Sequence, residues 1–524
     1  MSSSSDLERG QDPSSISIGH NSDEDNSIEK HNKNETSATV VEDPYLVVFD
    51  GNDDKEDQTG LSTFRKWLIV IIVSVTSLCV TCISSLWSLA SSNIIKEYGI
   101  NAEVSALGIT LFIWGLGMGG IFLAPISEYH GRKIVYLTGL LATLAFQFLT
   151  AFCKNIGGVL FGRFASGFFA SSFMSVASGT FTDIFRVPVL KRGDSKYVAQ
   201  QAKRLGRSLV LYSSSAFIGP GLGPIIFGFV NMHPKNYKWT FYTMIIWTFV
   251  SLLSILFFVP ETYEPILLKR KAQRLRAETG DSNYYAALEK SQIPLHKSIL
   301  TSCERPLELI FRDQMTFALC FYTAFTLAIV YMFFVSIPYT FQTVYNFNLY
   351  QVGLTFIGIT LGFSITSLVS PKLTEALQHK LLLRNNGVFK PEIKLASLMV
   401  GVFIVPIGLL IMAWTSYSHV HWMGPIIGSF IYASGAILVF TGIFSYQIIA
   451  YQKYAASAMS TNSFIRSLLA GSFDLFALKM YKGMGVHWAT TFWALFSMLL
   501  IPPAFLFYIY GEDIRKKSRF TWSD

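Results

Sequence analysis

The sequence predicts an all-α membrane protein with twelve transmembrane helices in two halves of six. Twelve apolar stretches fill the chain from Trp67 to Tyr510. Each is about 20 residues long, the length a helix needs to cross the hydrocarbon of a bilayer. The composition agrees with this, since 51% of the residues are hydrophobic and only 15% are charged. The longest polar segment between stretches follows the sixth one, which divides the chain evenly.

In chain order, the stretches predict spans at residues 67–89, 105–126, 134–152, 159–184, 209–230, 239–259, 315–341, 351–371, 395–416, 422–450, 461–483 and 487–510. Five segments result. They are a disordered acidic cytosolic tail (1–66), an N-terminal six-helix half (67–259), a cytosolic linker (260–314), a C-terminal six-helix half (315–510) and a short cytosolic tail (511–524).

The distribution of basic residues predicts which side of the membrane each loop occupies. With both termini in the cytosol, the cytosolic loops and the C-terminus hold 28 Lys and Arg residues against 5 in the outer loops. Basic loops stay on the cytosolic side, so both termini are predicted to be cytosolic. The N-terminal tail has 15 acidic and 6 basic residues and few apolar ones, a composition typical of disorder. The predicted location is the plasma membrane.

The linker contains a short basic segment with two possible interpretations. Lys269-Arg270-Lys271 lies next to Leu267, Leu268 and Leu275, a pattern that fits an amphipathic helix. Such a helix can rest on anionic lipid headgroups. It can equally be a solvated linker helix.

Two cysteines in the first span have the spacing of a redox motif. Cys79-Val-Thr-Cys82 reads C-x-x-C, but it lies inside an apolar stretch without the strand-helix setting of a redox site. We therefore interpret the two cysteines as small buried residues rather than as a redox pair.

Four charged residues lie inside the predicted spans: Arg163, Arg466, Asp474 and Lys479. A charge in mid-membrane costs about 3 kcal/mol or more, so it usually faces a polar path or a partner. This pattern is typical of proteins that move a solute. The chain has no H-E-x-x-H, G-x-S-x-G or P-loop motif, so an enzyme is not expected. No metal, organic cofactor or nucleic acid is expected either.

Asp474 lies near the middle of its span, where a side chain cannot easily reach water. Arg466 is eight residues earlier, about 12 Å along a helix, which is too far for a direct bond. One hypothesis is that Asp474 faces a central cavity and selects cationic substrates. The other is a structural hydrogen bond made by a protonated carboxyl.

The loop after the second span reads Ala124-Pro125-Ile126-Ser127-Glu128-Tyr129-His130-Gly131-Arg132-Lys133. Gly131 permits a tight turn, Arg132 and Lys133 hold the cytosolic end, and Glu128 can pair with a base or cap a helix as a conformational latch. The segment resembles the signature between spans two and three of the major facilitator superfamily, although Glu128 stands where Asp is usual.

The fourth span carries Arg163, where the superfamily has an arginine implicated in proton coupling. The alternative is an arginine that extends to water near the outer end of its helix. The fifth span contains two Gly-Pro pairs, Gly219-Pro220 and Gly223-Pro224. Prolines bend a helix and glycines allow close packing, so this helix is predicted to act as a hinge or seal between the halves. The pattern resembles a signature of antiporters in the superfamily.

Further stretches are similar to fungal twelve-span drug:proton antiporters, in particular those of budding yeasts; they include Trp239-Thr240-Phe241-Tyr242, Pro260-Glu261-Thr262, Tyr454-Ala455-Ala456 and Arg466-Ser467. The resemblance implies a proton-driven exporter of amphipathic or cationic small molecules. Its expected partners are a small-molecule substrate, protons and the lipid bilayer, with the proton gradient in place of a cofactor, and the expected state is a monomer. A polyamine or other organic-cation transporter and a nutrient sensor on a transporter scaffold are the alternatives.

Aromatic residues of the seventh span are candidates for the substrate pathway. Tyr322, Tyr331 and Tyr339 offer polarisable ring faces that suit aromatic or cationic ligands. The alternative is that these rings face lipid.

Overall fold

The computed structural model describes residues 43, 45–49, 57–187, 194–232, 237–290, 295–385 and 390–518. The described chain is almost wholly helical, with a single isolated β-bridge. Twelve long helices are numbered α1–α12: Thr63–Tyr98, Ala102–His130, Arg132–Phe152, Ile156–Ile184, Ser195–Val230, Trp239–Phe258, Gln314–Thr343, Leu349–Arg384, Ala396–Thr415, Met423–Tyr451, Ala455–Met484 and Val486–Lys516.

Eleven candidate membrane spans are found among the described residues, long and apolar enough to cross a bilayer. The remaining long helix, α11, has 30 residues and is more polar because it carries Arg466 and Asp474 in its central part. The predicted helical membrane protein is therefore confirmed. Because α1 to α12 alternate in direction, the start of α1 and the end of α12 lie at one end of the bundle, here called the terminal face. The opposite end is called the far face.

The packing repeats between the two halves. In the first half α1 packs on α5 and α2 on α4, and in the second half α7 packs on α11 and α8 on α10. The two principal contacts between halves, α2 with α11 and α5 with α8, are also equivalent under this repeat. The structure thus has the pseudo-twofold arrangement expected for parallel six-helix repeats, which places the centre of the bundle at their interface.

The helices extend beyond the predicted spans at both ends of the chain. Helix α1 begins at Thr63, because Ser62 caps it by accepting a hydrogen bond from the Arg65 amide at 3.3 Å. Helix α12 continues to Lys516, well past the expected boundary at residue 510. Hydropathy detects the part of a helix inside lipid and misses polar turns beyond it. The predicted tails therefore include helical residues.

Part of the N-terminal tail is ordered against the linker. The described residues 43 and 45–49, here called the tail segment, lie beside the linker helix Glu264–Thr279. The Val47 amide donates to the Tyr285 carbonyl, and the Tyr285 amide donates to the Tyr45 carbonyl, both at 2.9 Å. The Tyr285 hydroxyl donates to Asp43 and holds the pKa of that carboxyl below its ordinary value. The expectation of disorder is wrong for these residues.

The tail segment covers the apolar side of the linker helix. Val47 is 5% exposed and packs with Ala272 and Ala286 in a small apolar cluster of its own. The Lys271 ammonium donates to the Val48 carbonyl at 3.0 Å. Protein atoms therefore occupy the face that was interpreted as a candidate lipid contact. Composition could not show this, because it depends on one buried valine in an acidic stretch.

We expect Val47→Asp to detach the tail segment, because a carboxylate placed in that apolar cluster would lack a partner. Hydrogen exchange should then be faster in the helix Glu264–Thr279. Val48→Asp is the matched control, since the Val48 side chain is 59% exposed and points away from the cluster. Equal exchange in the two variants would contradict docking through Val47.

Cys79 and Cys82 are free and buried. The Cys82 thiol contacts the Gly219 carbonyl at 3.2 Å, and the Cys79 sulfur lies 3.8 Å from the Thr248 hydroxyl. Both cysteines therefore fill space where α1 packs on α5 and α6, which agrees with their interpretation as small buried residues.

Candidate functional site: a charge cluster at the centre of the bundle

Glycines bring the helices around Arg163 into close contact. A side chain at Gly167 of α4 would collide with the backbone of Phe112 in α2, and one at Gly108 of α2 would collide with the ring of Trp87. Because neither position has a side chain, α1, α2 and α4 approach closely around Arg163. The guanidinium therefore reaches backbone carbonyls of two neighbouring helices.

Three carbonyl oxygens hold the Arg163 guanidinium. Nε donates to Gly108 at 2.9 Å, Nη1 to Ile83 at 3.0 Å and Nη2 to Ser84 at 3.4 Å. The guanidinium also lies 4.5 Å from the ring centre of Phe112. Arg163 is 2% exposed, so the alternative of a side chain extending to water is wrong. Its charge is stabilised by dipoles and a ring face rather than by a carboxylate.

Tyr331 links this arginine to the second half of the protein. Its hydroxyl donates to the Ser84 hydroxyl across the interface at 3.3 Å. It also lies close enough to Arg163, Arg466 and Asp474 to interact electrostatically with all three. These four residues, Arg163, Tyr331, Arg466 and Asp474, are called the central charge cluster below. Three of them, Arg163, Arg466 and Asp474, were named as charges inside the predicted spans, and Tyr331 was a candidate for its ring.

Asp474 is buried without a hydrogen-bond partner. It is 1% exposed, and neither of its carboxylate oxygens accepts a hydrogen bond from a described residue. One turn earlier, Gly471 packs tightly on α2, where its carbonyl accepts from the Thr110 hydroxyl at 2.8 Å. An unpaired carboxylate buried in this way costs several kcal/mol, and either a proton or a cation can remove that cost. The structural hydrogen bond of the alternative hypothesis is not formed between Asp474 and any described residue.

Arg466 occupies the same helix, two turns closer to the terminal face. Its guanidinium lies 5.3 Å from the ring centre of Phe444 and 6.0 Å from that of Phe440, both in α10. Its Nε is buried and donates to no described residue. As predicted, the eight-residue separation prevents a direct bond between Arg466 and Asp474.

The remaining candidates lie outside the cluster. Tyr322 is buried near Tyr432 inside the second half, and Tyr339 is partly buried at the far end of α7. Lys479 is 72% exposed and pairs with Glu103 of α2 at 2.8 Å on the far face. It was expected to be a charge within the span, and in this structure its long side chain extends to an exposed ion pair.

The loop after α2 is organised by two acids that sequence reasoning missed. Glu261 accepts from the amides of Arg132 and Lys133 at 2.9 and 3.2 Å, and so caps the start of α3. Gly131 is required there because its φ is +101° and a side chain would collide with Glu261. Asp183 pairs with the Arg132 guanidinium at 3.2 Å.

Glu128 is exposed and forms no ion pair with a described residue, so the latch predicted for it is not formed in this structure. The signal for Glu261 was present in the Pro260-Glu261-Thr262 stretch, although its partner is 129 residues away.

The Gly-Pro helix α5 contacts both halves through different glycines. Gly219 and Gly223 face Thr81 and Ser85 of α1, within the same half. Gly221 and Gly228 face Thr360 and Gly353 of α8, in the other half. The prediction of close packing therefore fits the structure, but the contact between halves is made by the other two glycines.

The halves contact each other from the middle of the bundle to the far face. Near the middle, the Trp114 indole of α2 donates to the Leu468 carbonyl of α11 at 3.0 Å. Toward the far face, a side-chain Cβ at Gly353 would lie 2.6 Å from the Pro224 carbonyl and 2.9 Å from the Gly228 Cα. The backbones of α5 and α8 therefore touch at this point, and the central charge cluster lies on the terminal side of that contact.

These features, twelve helices in two related halves with a charge cluster at their interface, define a membrane transporter. Residues 71–473 match the Major Facilitator Superfamily, so the chain belongs to that superfamily and is a transporter rather than an enzyme.

Individual relatives indicate which kinds of transporter this chain is similar to. The chain is 44% identical to a protein of Saccharomyces cerevisiae named "Probable drug/proton antiporter YHK8", over 90% of this chain and 89% of the relative. It is 36% identical to "Efflux pump atB" of Aspergillus terreus, over 92% and 91%. Among solved structures, the xylose transporter XylE from E. coli in an inward-open conformation matches with a TM-score of 0.60. That match has 9% identity and covers 84% of this chain and 96% of the other, so it supports the fold.

Proposed function

We propose that this protein is a proton-coupled antiporter that exports amphipathic or cationic small molecules, such as drugs and other xenobiotics, by alternating access. The names of the yeast and Aspergillus relatives support both the direction and the coupling. One structural observation carries the proposal, namely the Asp474 carboxylate, which is buried at the interface of the halves and accepts no hydrogen bond from a described residue.

Asp474 can couple a substrate to a proton by exchange. Its charge can be neutralised by a proton or by a bound cation, and a buried site favours one occupant at a time. Arg163 stays charged because arginine does not lose its proton in proteins. Its constant positive charge acts on Tyr331, which also interacts with Asp474, and through this shared neighbour it opposes the return of a proton while a cation is bound. Exchange of the two occupants across the membrane is antiport.

The direct contacts of α2 with α11 and of α5 with α8 run from the middle to the far face, so in this proposal the far side is the closed one. Toward the terminal face, the linker helix Leu295–Arg312 contacts both α2 and α11. The excess of basic residues at that face supports a cytosolic orientation of both termini and a site loaded from the cytosol. In this proposal the protein works as a monomer in the plasma membrane, with no cofactor beyond the proton gradient.

The alternatives have less support. A polyamine carries several positive charges, and Asp474 is the carboxylate that the described residues place in the central charge cluster. Neutral amphiphiles and monocations fit a single carboxylate better than polyamines do. A nutrient sensor has no support from the names of the relatives.

We expect Asp474→Asn to lose export of a lipophilic monocation and to retain export of a neutral amphiphile of similar size. Asparagine keeps the shape but deletes the charge that attracts the cation. The measurement is transport of both compounds in proteoliposomes under an imposed pH gradient. Asp513→Asn, in an exposed part of α12, is the matched control. Equal loss or equal retention of both compounds would leave Asp474 with a structural role only.

A further inference from the structure

We infer that Arg466 forms a second subsite at the interface of the halves, one that binds a carboxylate group of an aromatic substrate. The inference rests on the proposed export function and adds a substrate class to it, namely small aromatic acids and zwitterions beside the cations that Asp474 would bind. It is carried by the surroundings of the Arg466 guanidinium.

The described residues provide no counter-charge for the Arg466 guanidinium. No described carboxylate lies within salt-bridge distance of it, and the titratable groups that interact with its charge are Tyr331, Cys320 and Tyr212. The two tyrosines and the thiol are neutral groups. Unlike Asp474, an arginine cannot lose its charge by exchanging a proton. The guanidinium therefore remains a cation, which the ring faces of Phe440 and Phe444 stabilise only in part.

The donors of Arg466 are not used by the residues that the structure describes. Its Nε is buried without an acceptor, and none of its N–H groups donates to a described residue. Arg163 shows the contrast, because all three of its nitrogens donate to carbonyl oxygens. Two arginines of one cluster thus differ in function: Arg163 is held within the protein, and Arg466 keeps a planar set of donors that matches a carboxylate in two-point geometry.

Aromatic rings next to Arg466 fit the remainder of such a ligand. Phe217 of α5 stacks on Phe440 with ring centres 4.8 Å apart, across the interface between the halves. Phe444 and Phe217 are only partly buried, so each ring keeps some exposed surface. Arg466 is also partly exposed, although it lies in the middle of the bundle. A ligand ring can lie against these faces while its carboxylate contacts the guanidinium.

The position of the subsite connects it to the contact between halves. Tyr212 belongs to the first half, and Arg466, Phe440 and Phe444 belong to the second, so a bound acid would contact both. Tyr331 lies near both Arg466 and Asp474. A zwitterion about 10 Å long could therefore contact both charges, because eight residues of helix separate them by about 12 Å between backbone positions.

The test compares binding of three matched probes to purified protein: a labelled aryl carboxylate, its neutral primary amide and the corresponding aryl amine. Arg466→Gln should weaken carboxylate binding at least about tenfold, since charge-assisted hydrogen bonds are the strong ones. It should leave amide binding within about twofold. Arg466→Lys should restore part of the affinity, since lysine keeps the charge and loses the planar geometry. Lys479→Gln removes an exposed charge from the same helix and should change nothing.

The outcomes separate this inference from the export function. Equal losses for carboxylate and amide would mean that Arg466 only maintains the fold, and unchanged carboxylate binding would mean that there is no subsite. Either result overturns the inference. Retained amide binding shows that the variant is folded. Proton-driven transport of the amine by Arg466→Gln tests the proposed function separately, because it depends on Asp474 and not on Arg466.

Discussion

Replacing Arg163 with alanine should abolish export driven by a proton gradient while the protein still reaches the membrane. The change removes a constant positive charge next to Tyr331 and leaves three carbonyl oxygens without their side-chain donor. Those oxygens still accept within their own helices, so the bundle is expected to fold. The interactions of one buried, hydrogen-bonded charge contribute about 3 kcal/mol or more of free energy, and losing them is enough to reduce transport by roughly a hundredfold.

Arg163→Lys is the informative comparison. Lysine keeps the charge but cannot reach three carbonyls in a planar arrangement, so it should restore only part of the transport. The measurement is gradient-driven export in cells and in proteoliposomes, normalised to the amount of protein in the membrane. Normal export by the alanine variant at normal expression would exclude a role for Arg163 in coupling.

A bulky residue at Gly353 should disrupt the contact between the halves near the far face. The first side-chain carbon would lie 2.6 Å from the Pro224 carbonyl, and both sides of that contact are backbone that cannot rotate away. Gly353→Leu must therefore push α8 away from α5 and destabilise the state in which the halves meet there. We expect active export to fall at least about tenfold, which corresponds to a loss of about 1.4 kcal/mol or more in the stability of that state. Passive loss of a pH gradient should rise.

Two controls isolate the effect of that contact. Gly206→Leu places the same side chain in α5, where a side-chain carbon would meet nothing within 4 Å. Gly353→Ala places the smallest side chain at the contact and should give an intermediate result. Proteoliposomes loaded with a pH-sensitive dye report the leak. If Gly353→Leu and Gly206→Leu leak equally, the α5–α8 contact is not a barrier.

The helices could be predicted from the sequence, whereas the contacts between them could not. Twelve apolar stretches predict twelve helices because a bilayer requires a fixed length of apolar chain, and the unusual charges in them point to the centre. The partners of those charges leave no such signal. Arg163 is held by the carbonyls of Gly108, Ile83 and Ser84, and every residue has a carbonyl, so no residue type could reveal them.

The fifth helix shows the same limit in a different way. Gly219-Pro220 and Gly223-Pro224 are conspicuous as a pattern, and close packing follows from them. The direction that each glycine faces depends on how the helix is rotated and bent, which prolines change. Gly221 and Gly228 therefore form the contact between the halves, while Gly219 and Gly223 pack within one half. Asp183 and Glu261 were missed because their contacts with Arg132 join residues distant in the chain.

The docked tail segment restricts how the two halves can move. The helix Glu264–Thr279 is joined to the first half at its beginning, where Arg186 of that half pairs with Glu264. The tail segment then holds the same helix on its other side, through Val48 and Tyr285. The linker up to Lys290 is thus carried as part of the first half. The part of the linker that bends during the transport cycle is therefore shorter than the whole chain between the halves, because Glu264–Thr279 and the residues up to Lys290 move with the first half.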